Sequence, residues 1–129
     1  MIPTDCYYTK EHEWVRVEDA TLVVIGITDF AQDQLGDVIY VNLPENGSEI
    51  NQSAQMGEAE SVKAVSDLFS PVTGTVVEVN GNLQDAPELV NRDPYGDGWM
   101  LKVELSSVEQ LANLLSADQY GKYLDSGEH

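Results

Sequence analysis

Residues 56–80 read MGEAESVKAVSDLFSPVTGTVVEVN, and the fold class follows from how this stretch is divided. Gln55 to Val65 reads as strand around a tip near Lys63. Leu68-Phe69-Ser70-Pro71 then leads through Thr73-Gly74 into Thr75 to Val79, a β pattern that closes at Asn80-Gly81. Short strands joined by tight turns predict a mainly β molecule, with one lysine set among Glu58, Glu60 and Asp67. The chain has only six basic side chains, so this lysine stands out as a displayed amine.

Toward the N-terminus, Glu13 to Val17 alternates before Glu18-Asp19-Ala20 intervenes and Leu22 to Ile27 runs apolar, which predicts a β-hairpin. Thr28 offers an N-cap with Asp29 in the first turn of a short helix, and Gly36 is placed to stop it. Val38 to Leu43 returns to strand and ends at the turn Pro44-Glu45-Asn46-Gly47. A weak internal echo, Gly36-Asp37-Val38-Ile39 against Gly74-Thr75-Val76-Val77, suggests two related halves about Lys63.

Toward the C-terminus, Pro87 to Val90 predicts one helical turn, Asp93 to Gly98 an irregular turn, and Trp99 to Leu105 another strand. Ser107 with Gln110 and Ser116 with Gln119 are capping-box pairs ahead of apolar positions, so two helical pieces should pack on the sheet. The expected architecture is a β-barrel or sandwich with short peripheral helices on the N-terminal side and at the C-terminus. One unit, 1–129, is expected, with a C-terminal helical extension over about residues 107–125.

Twenty-three acidic against six basic side chains give a net charge of −17. That charge opposes any sequence-independent grip on nucleic acid and repels anionic membranes, while it favours basic docking patches on other proteins and solubility alike. Cys6 is the only cysteine, so no intrachain disulfide forms and no thiol pair chelates a metal. No apolar run reaches the length of a membrane span, and Met1 to Lys10 lacks the pattern of a signal peptide. A bacterial cytoplasm is the expected setting; a mature organellar form would read the same way.

The residue types needed for catalysis are sparse. His12 and His129 are the only histidines, and a structural His12 near Trp14 is a better reading than a catalytic base. Imidazoles or thiolates at ligand spacing are absent, and Asp93 to Asp97 contains a proline and lacks the EF-hand pattern, so no metal and no catalytic residue are assigned. Lys63 remains. An amine awaiting acylation must project, be held in place and have small neighbours, as Ser61, Ala64 and Ser66 allow, with Val62 and Val65 anchoring the turn inward. Spacing alone leaves a merely solvated lysine as the alternative.

The segment ESVKAVSDLFSP, Glu60 to Pro71, followed by TGTVVEVN, Thr73 to Asn80, resembles the lipoyl-lysine motif of the glycine cleavage system H-protein family. Tyr8 to Val15, Gly26 to Asp37, Leu43-Pro44, Leu89 to Asn91 and Asp93 to Met100 resemble the family's other segments, in family order. The resemblance implies a barrel-sandwich hybrid fold and lipoic acid in amide linkage to Lys63. It also implies that Glu60, Ser61, Val62, Ala64, Ser66 and Asp67 form the context read by the lipoylating enzyme.

The implied function is a non-catalytic carrier that takes the aminomethyl group of glycine from a pyridoxal-phosphate-dependent glycine decarboxylase to a tetrahydrofolate-dependent aminomethyltransferase, and then electrons to dihydrolipoamide dehydrogenase. The implied partners are these three enzymes and the lipoylating enzyme, with a monomer expected. Glu13 is named as a group that could shelter the loaded arm. A relay protein that donates lipoyl groups to other enzymes would carry the same motif. A biotin carrier would flank the lysine with methionines where Val62 and Ala64 stand.

Overall fold

A computed structural model describes residues 2–127; the expectation for His129 lies outside them. Nine antiparallel strands form two sheets. The larger contains β1 (Cys6–Tyr8), β2 (Glu13–Asp19), β3 (Leu22–Ile27), β5 (Glu49–Ile50), β8 (Gly74–Val79) and β9 (Leu101–Leu105), in the spatial order β1-β2-β3-β9-β8-β5. The smaller has the order β4-β6-β7, from Val38–Asn42, Gln55–Ser61 and Val65–Phe69. The two sheets share one core without closing into a barrel, and with the short peripheral helices this is the mainly β barrel-sandwich hybrid that was expected.

The hairpin β2-β3 forms as predicted, with Val15 opposite Ile25 and Val17 opposite Val23. β3 is buried along nearly its whole length because it separates two apolar layers. Val23, Ile25 and Ile27 belong to the main core, with Val41 and Ala59 of the small sheet and Val76 and Val103 of the large one. Val24 belongs to a second cluster with Cys6, Tyr8, Trp14 and Tyr120. Burial pushes the Cys6 thiol up to about 11, which keeps it protonated.

Helix α1 (Asp29–Leu35) starts where Thr28 Oγ1 accepts from the Ala31 amide and ends at Gly36, whose φ of 85° suits a residue without a Cβ. After α2 (Asn82–Asp85) and α3 (Leu89–Arg92), the Asp93 carboxylate accepts from the Asp97 amide at 2.9 Å and closes the irregular turn. The two C-terminal pieces are a 3-10 helix, Val108–Asn113, and α4, Ala117–Ser126. The Ser116–Gln119 capping box forms. The Ser107–Gln110 box does not, because the Gln110 side chain instead bonds the Thr73 amide and hydroxyl, at 2.6 and 3.0 Å.

α4 covers the second cluster. Tyr120 stacks on Tyr8 with centroids 4.7 Å apart, and its hydroxyl meets His12 Nδ1 and Thr28 Oγ1, each at 2.8 Å. His12 also packs against Phe30. It therefore ties the C-terminal helix to α1 through Tyr120, a structural role as expected. Its ring lies against those of Phe30, Tyr120 and Tyr123. The Trp14 indole donates to the Pro94 carbonyl at 3.0 Å.

Candidate functional site

The tip between β6 and β7 is a turn built on Ser61. Its amide donates to the Ala64 carbonyl at 2.8 Å, and its hydroxyl accepts from the Lys63 and Ala64 amides at 3.2 and 3.1 Å. Ser61 is buried, while Val62, Lys63 and Ala64 are exposed. A short hydroxyl side chain can satisfy turn amides in this way without leaving the strand, and it holds Lys63 at the apex.

A second restraint comes from the α1-β4 junction. The Val62 amide donates to the Asp37 carbonyl at 3.1 Å. Asp37 is itself clamped on both sides by Asn91 of α3, whose Nδ2 donates to the Gly36 carbonyl at 2.9 Å and whose Oδ1 accepts from the Val38 amide at 2.8 Å. Asn91 Nδ2 also meets Gln32 Oε1 at 3.0 Å. The Lys63 stem runs over Gly36, where a Cβ would come within 3.0 Å of Cε and 3.7 Å of Nζ. Backbone and side chain of the apex thus rest on one junction, stapled from 53 residues away in sequence.

The residues singled out around the lysine occupy distinct places. Glu60 lies on the outer face of β6, paired with Val65, and Asp67 lies on the outer face of β7, paired with Glu58. Val62 and Val65 are 68% and 59% exposed, so they do not anchor the turn inward as expected. Ser61 and the Asp37 carbonyl supply that anchorage. Ser66, half-buried, lines a groove of about 420 Å³ with Ala64, Val65, Phe30, Ala31, Leu35, His12 and Glu11. Sequence reasoning passed over Asp37 as a tip residue and met Asn91 only as part of a resemblance.

Glu13 sits at the far end of β7 from the apex. Its carboxylate accepts from Thr9 Oγ1 at 2.6 Å and from the Phe69 amide at 3.3 Å. Glu13 is 1% exposed, and burial pushes its carboxyl up to about 7, against the two hydrogen bonds, which favour the ionised form. It lines a pocket of about 200 Å³ with Thr9, Glu11, Ser53, Phe69 and Ser70. Glu11 lines both this pocket and the groove beside Ala64, so the two adjoin.

This arrangement meets the demands of a covalent arm: an exposed amine on a fixed base, a partly apolar groove beside it, and a carboxyl of raised pKa beyond the groove. Among the described residues no group of three or more His, Cys, Asp or Glu side chains is placed to hold a metal. Among the described residues, no helix is long and apolar enough to cross a membrane.

Residues 6–127 match the family model described as glycine cleavage H-protein. A glycine cleavage system H protein of Symbiobacterium thermophilum is 56% identical over 126 residues, covering 98% of each chain. One from Marinobacter nauticus is 51% identical over 127 residues, again covering 98% of each. The crystal structure of a glycine cleavage system H protein from Mycobacterium marinum superposes with a TM-score of 0.87 at 40% identity, over 96% of this chain and 99% of that one.

Proposed function

Because the chain belongs to the glycine cleavage H-protein family, we propose that it is a lipoyl carrier, with lipoic acid attached through Lys63. We propose further that it moves the aminomethyl group of glycine from the pyridoxal-phosphate-dependent decarboxylase to the tetrahydrofolate-dependent aminomethyltransferase, and electrons to dihydrolipoamide dehydrogenase. The observation that carries this reading is the apex: an exposed lysine whose backbone neighbours are fixed by Ser61 and by the Asp37 carbonyl.

When bound, the lipoyl group would supply a disulfide that takes up the aminomethyl group and two electrons together, one sulfur becoming a thioether and the other a thiol, and the dithiol left after transfer would give its electrons to the dehydrogenase. The chain's own residues give that group a fixed origin. Acylation removes the charge of Lys63.

Glu13 is the proposed shelter. A lipoyl-lysine arm runs twelve bonds from Cα to the nearer sulfur, about 15 Å in a zigzag. The four residue steps of β7 from Val65 to Phe69, whose amide holds Glu13, span about 13 Å. With its carboxyl raised to about 7, Glu13 is poised to lose its proton when a cationic amine arrives, since an opposite charge stabilises the carboxylate.

The test is a Lys63→Arg variant in a reconstituted glycine cleavage assay, with intact mass measured on both proteins. The parent should gain the mass of one lipoyl group and support glycine-dependent carbon dioxide exchange. The variant should gain none and be inactive; activity retained by Lys63→Arg would sink the assignment.

A further inference from the structure

Eight large hydrophobic side chains are exposed in the described chain, and four of them, Ile39, Tyr40, Val62 and Val65, lie on the small sheet or its hairpin tip. Apolar exposure scattered singly needs no explanation, whereas a cluster on one face does. A β-bulge between Val38 and Tyr40 leaves consecutive residues exposed, Ile39 at 49% and Tyr40 at 53%. Tyr40 pairs with Glu60, and Glu60 with Val65, so the three form one row across the sheet. The next row is Asn42, Glu58 and Asp67. Among the described residues, none of the carboxylates of Glu58, Glu60 and Asp67 is in an ion pair.

We propose that this outer face, centred on Ile39, Tyr40 and Val65 and edged by Glu58, Glu60 and Asp67, is where the enzyme that acylates Lys63 docks. That enzyme should meet it with an apolar pocket ringed by cationic side chains. The inference rests on the carrier reading of Lys63 and adds the surface and its chemistry.

Reach selects this occupant. In the acylation step the carbonyl carbon of a lipoyl adenylate bonds to neutral Nζ, adenylate leaves with the bonding pair, and the amine gives up one proton to solvent. The reacting nitrogen is at the end of a four-carbon stem, so the acylating enzyme must come down onto the tip itself. Enzymes that act later meet sulfurs at the end of the completed arm and need not touch the sheet. Charge then specifies the partner's rim: an apolar centre edged by carboxylates that are in no ion pair is complementary to an apolar pocket flanked by Arg and Lys.

The test compares the unmodified parent with an Ile39→Ser/Tyr40→Ser double variant and with Glu58→Lys, using a purified lipoate–protein ligase, lipoic acid and ATP. Attachment is followed by intact mass. The KM for the protein should rise about tenfold in the double variant, as expected for loss of an aromatic anchor, and by a smaller factor in Glu58→Lys, with kcat held. Binding of the ligase to the same variants built on Lys63→Arg should weaken in parallel. Once fully lipoylated, the variants should match the parent in glycine decarboxylase exchange and in thermal midpoint. An unchanged KM in an acylated series overturns the docking face alone, as does an equal loss in the decarboxylase exchange. A parent that gains no lipoyl mass overturns the carrier reading and this inference with it.

Discussion

Glu13 is a carboxyl with almost no exposure that accepts from Thr9 Oγ1 and the Phe69 amide and, among the described residues, is in no ion pair. Its pKa lies near 4.5 in the unfolded chain and is raised to about 7 in the folded one. Between those values the folded state binds more protons than the unfolded state, so this residue's contribution to stability is present below about pH 4.5 and lost as pH rises through 7. A Glu13→Gln variant resembles the protonated form at every pH. It should match the parent near pH 4.5 and become more stable than it by up to about 3 kcal/mol above pH 7. Urea unfolding at a series of pH values reads this directly. The same variant, loaded with the aminomethyl group, should hydrolyse faster than the parent; an unchanged rate would remove Glu13 as the shelter. The acidity of Glu13 was invisible in the sequence, because it depends on what β7 and Thr9 place around the carboxyl.

The α1-β4 junction is the element on which the apex rests. Asn91→Ala removes a bond to the Gly36 carbonyl and one to the Val38 amide. It should cost about 2 kcal/mol, seen as a lower urea midpoint with an unchanged m-value. Amide exchange at Val62, bonded to the Asp37 carbonyl, should quicken more than at Val15 in the main core. Elements with local signals were legible: the Thr28 cap, the β2-β3 hairpin and the Ser116–Gln119 box all depend on residues within a few positions of each other. Strand β5, two residues long, was not, since its identity depends on Gly74 and Thr75 opposite. The Ser107 box failed for a similar reason, as Thr73 drew Gln110 away. Lys63 was legible through a motif contained in one hairpin, whereas its Asn91 staple is a long-range contact with no periodic signature.

For the whole molecule, a net charge of −17 with six basic side chains makes encounter with basic partners sensitive to salt. Transfer rates from the decarboxylase should fall as ionic strength rises; flat rates would count against electrostatic steering. The other property at this scale is the meeting of distant segments. Tyr8 stacks on Tyr120 and exchanges backbone bonds with Leu115, so the second core cluster joins positions more than a hundred residues apart. On a ribosome, where the chain emerges N-terminus first, Trp14 and Val24 wait for their cover until Tyr120 has cleared the exit tunnel. The apex bearing Lys63 emerges well before that. Its hairpin is a local structure, while closure of the Tyr8–Tyr120 cluster carries the entropy cost of a very long loop and must follow it.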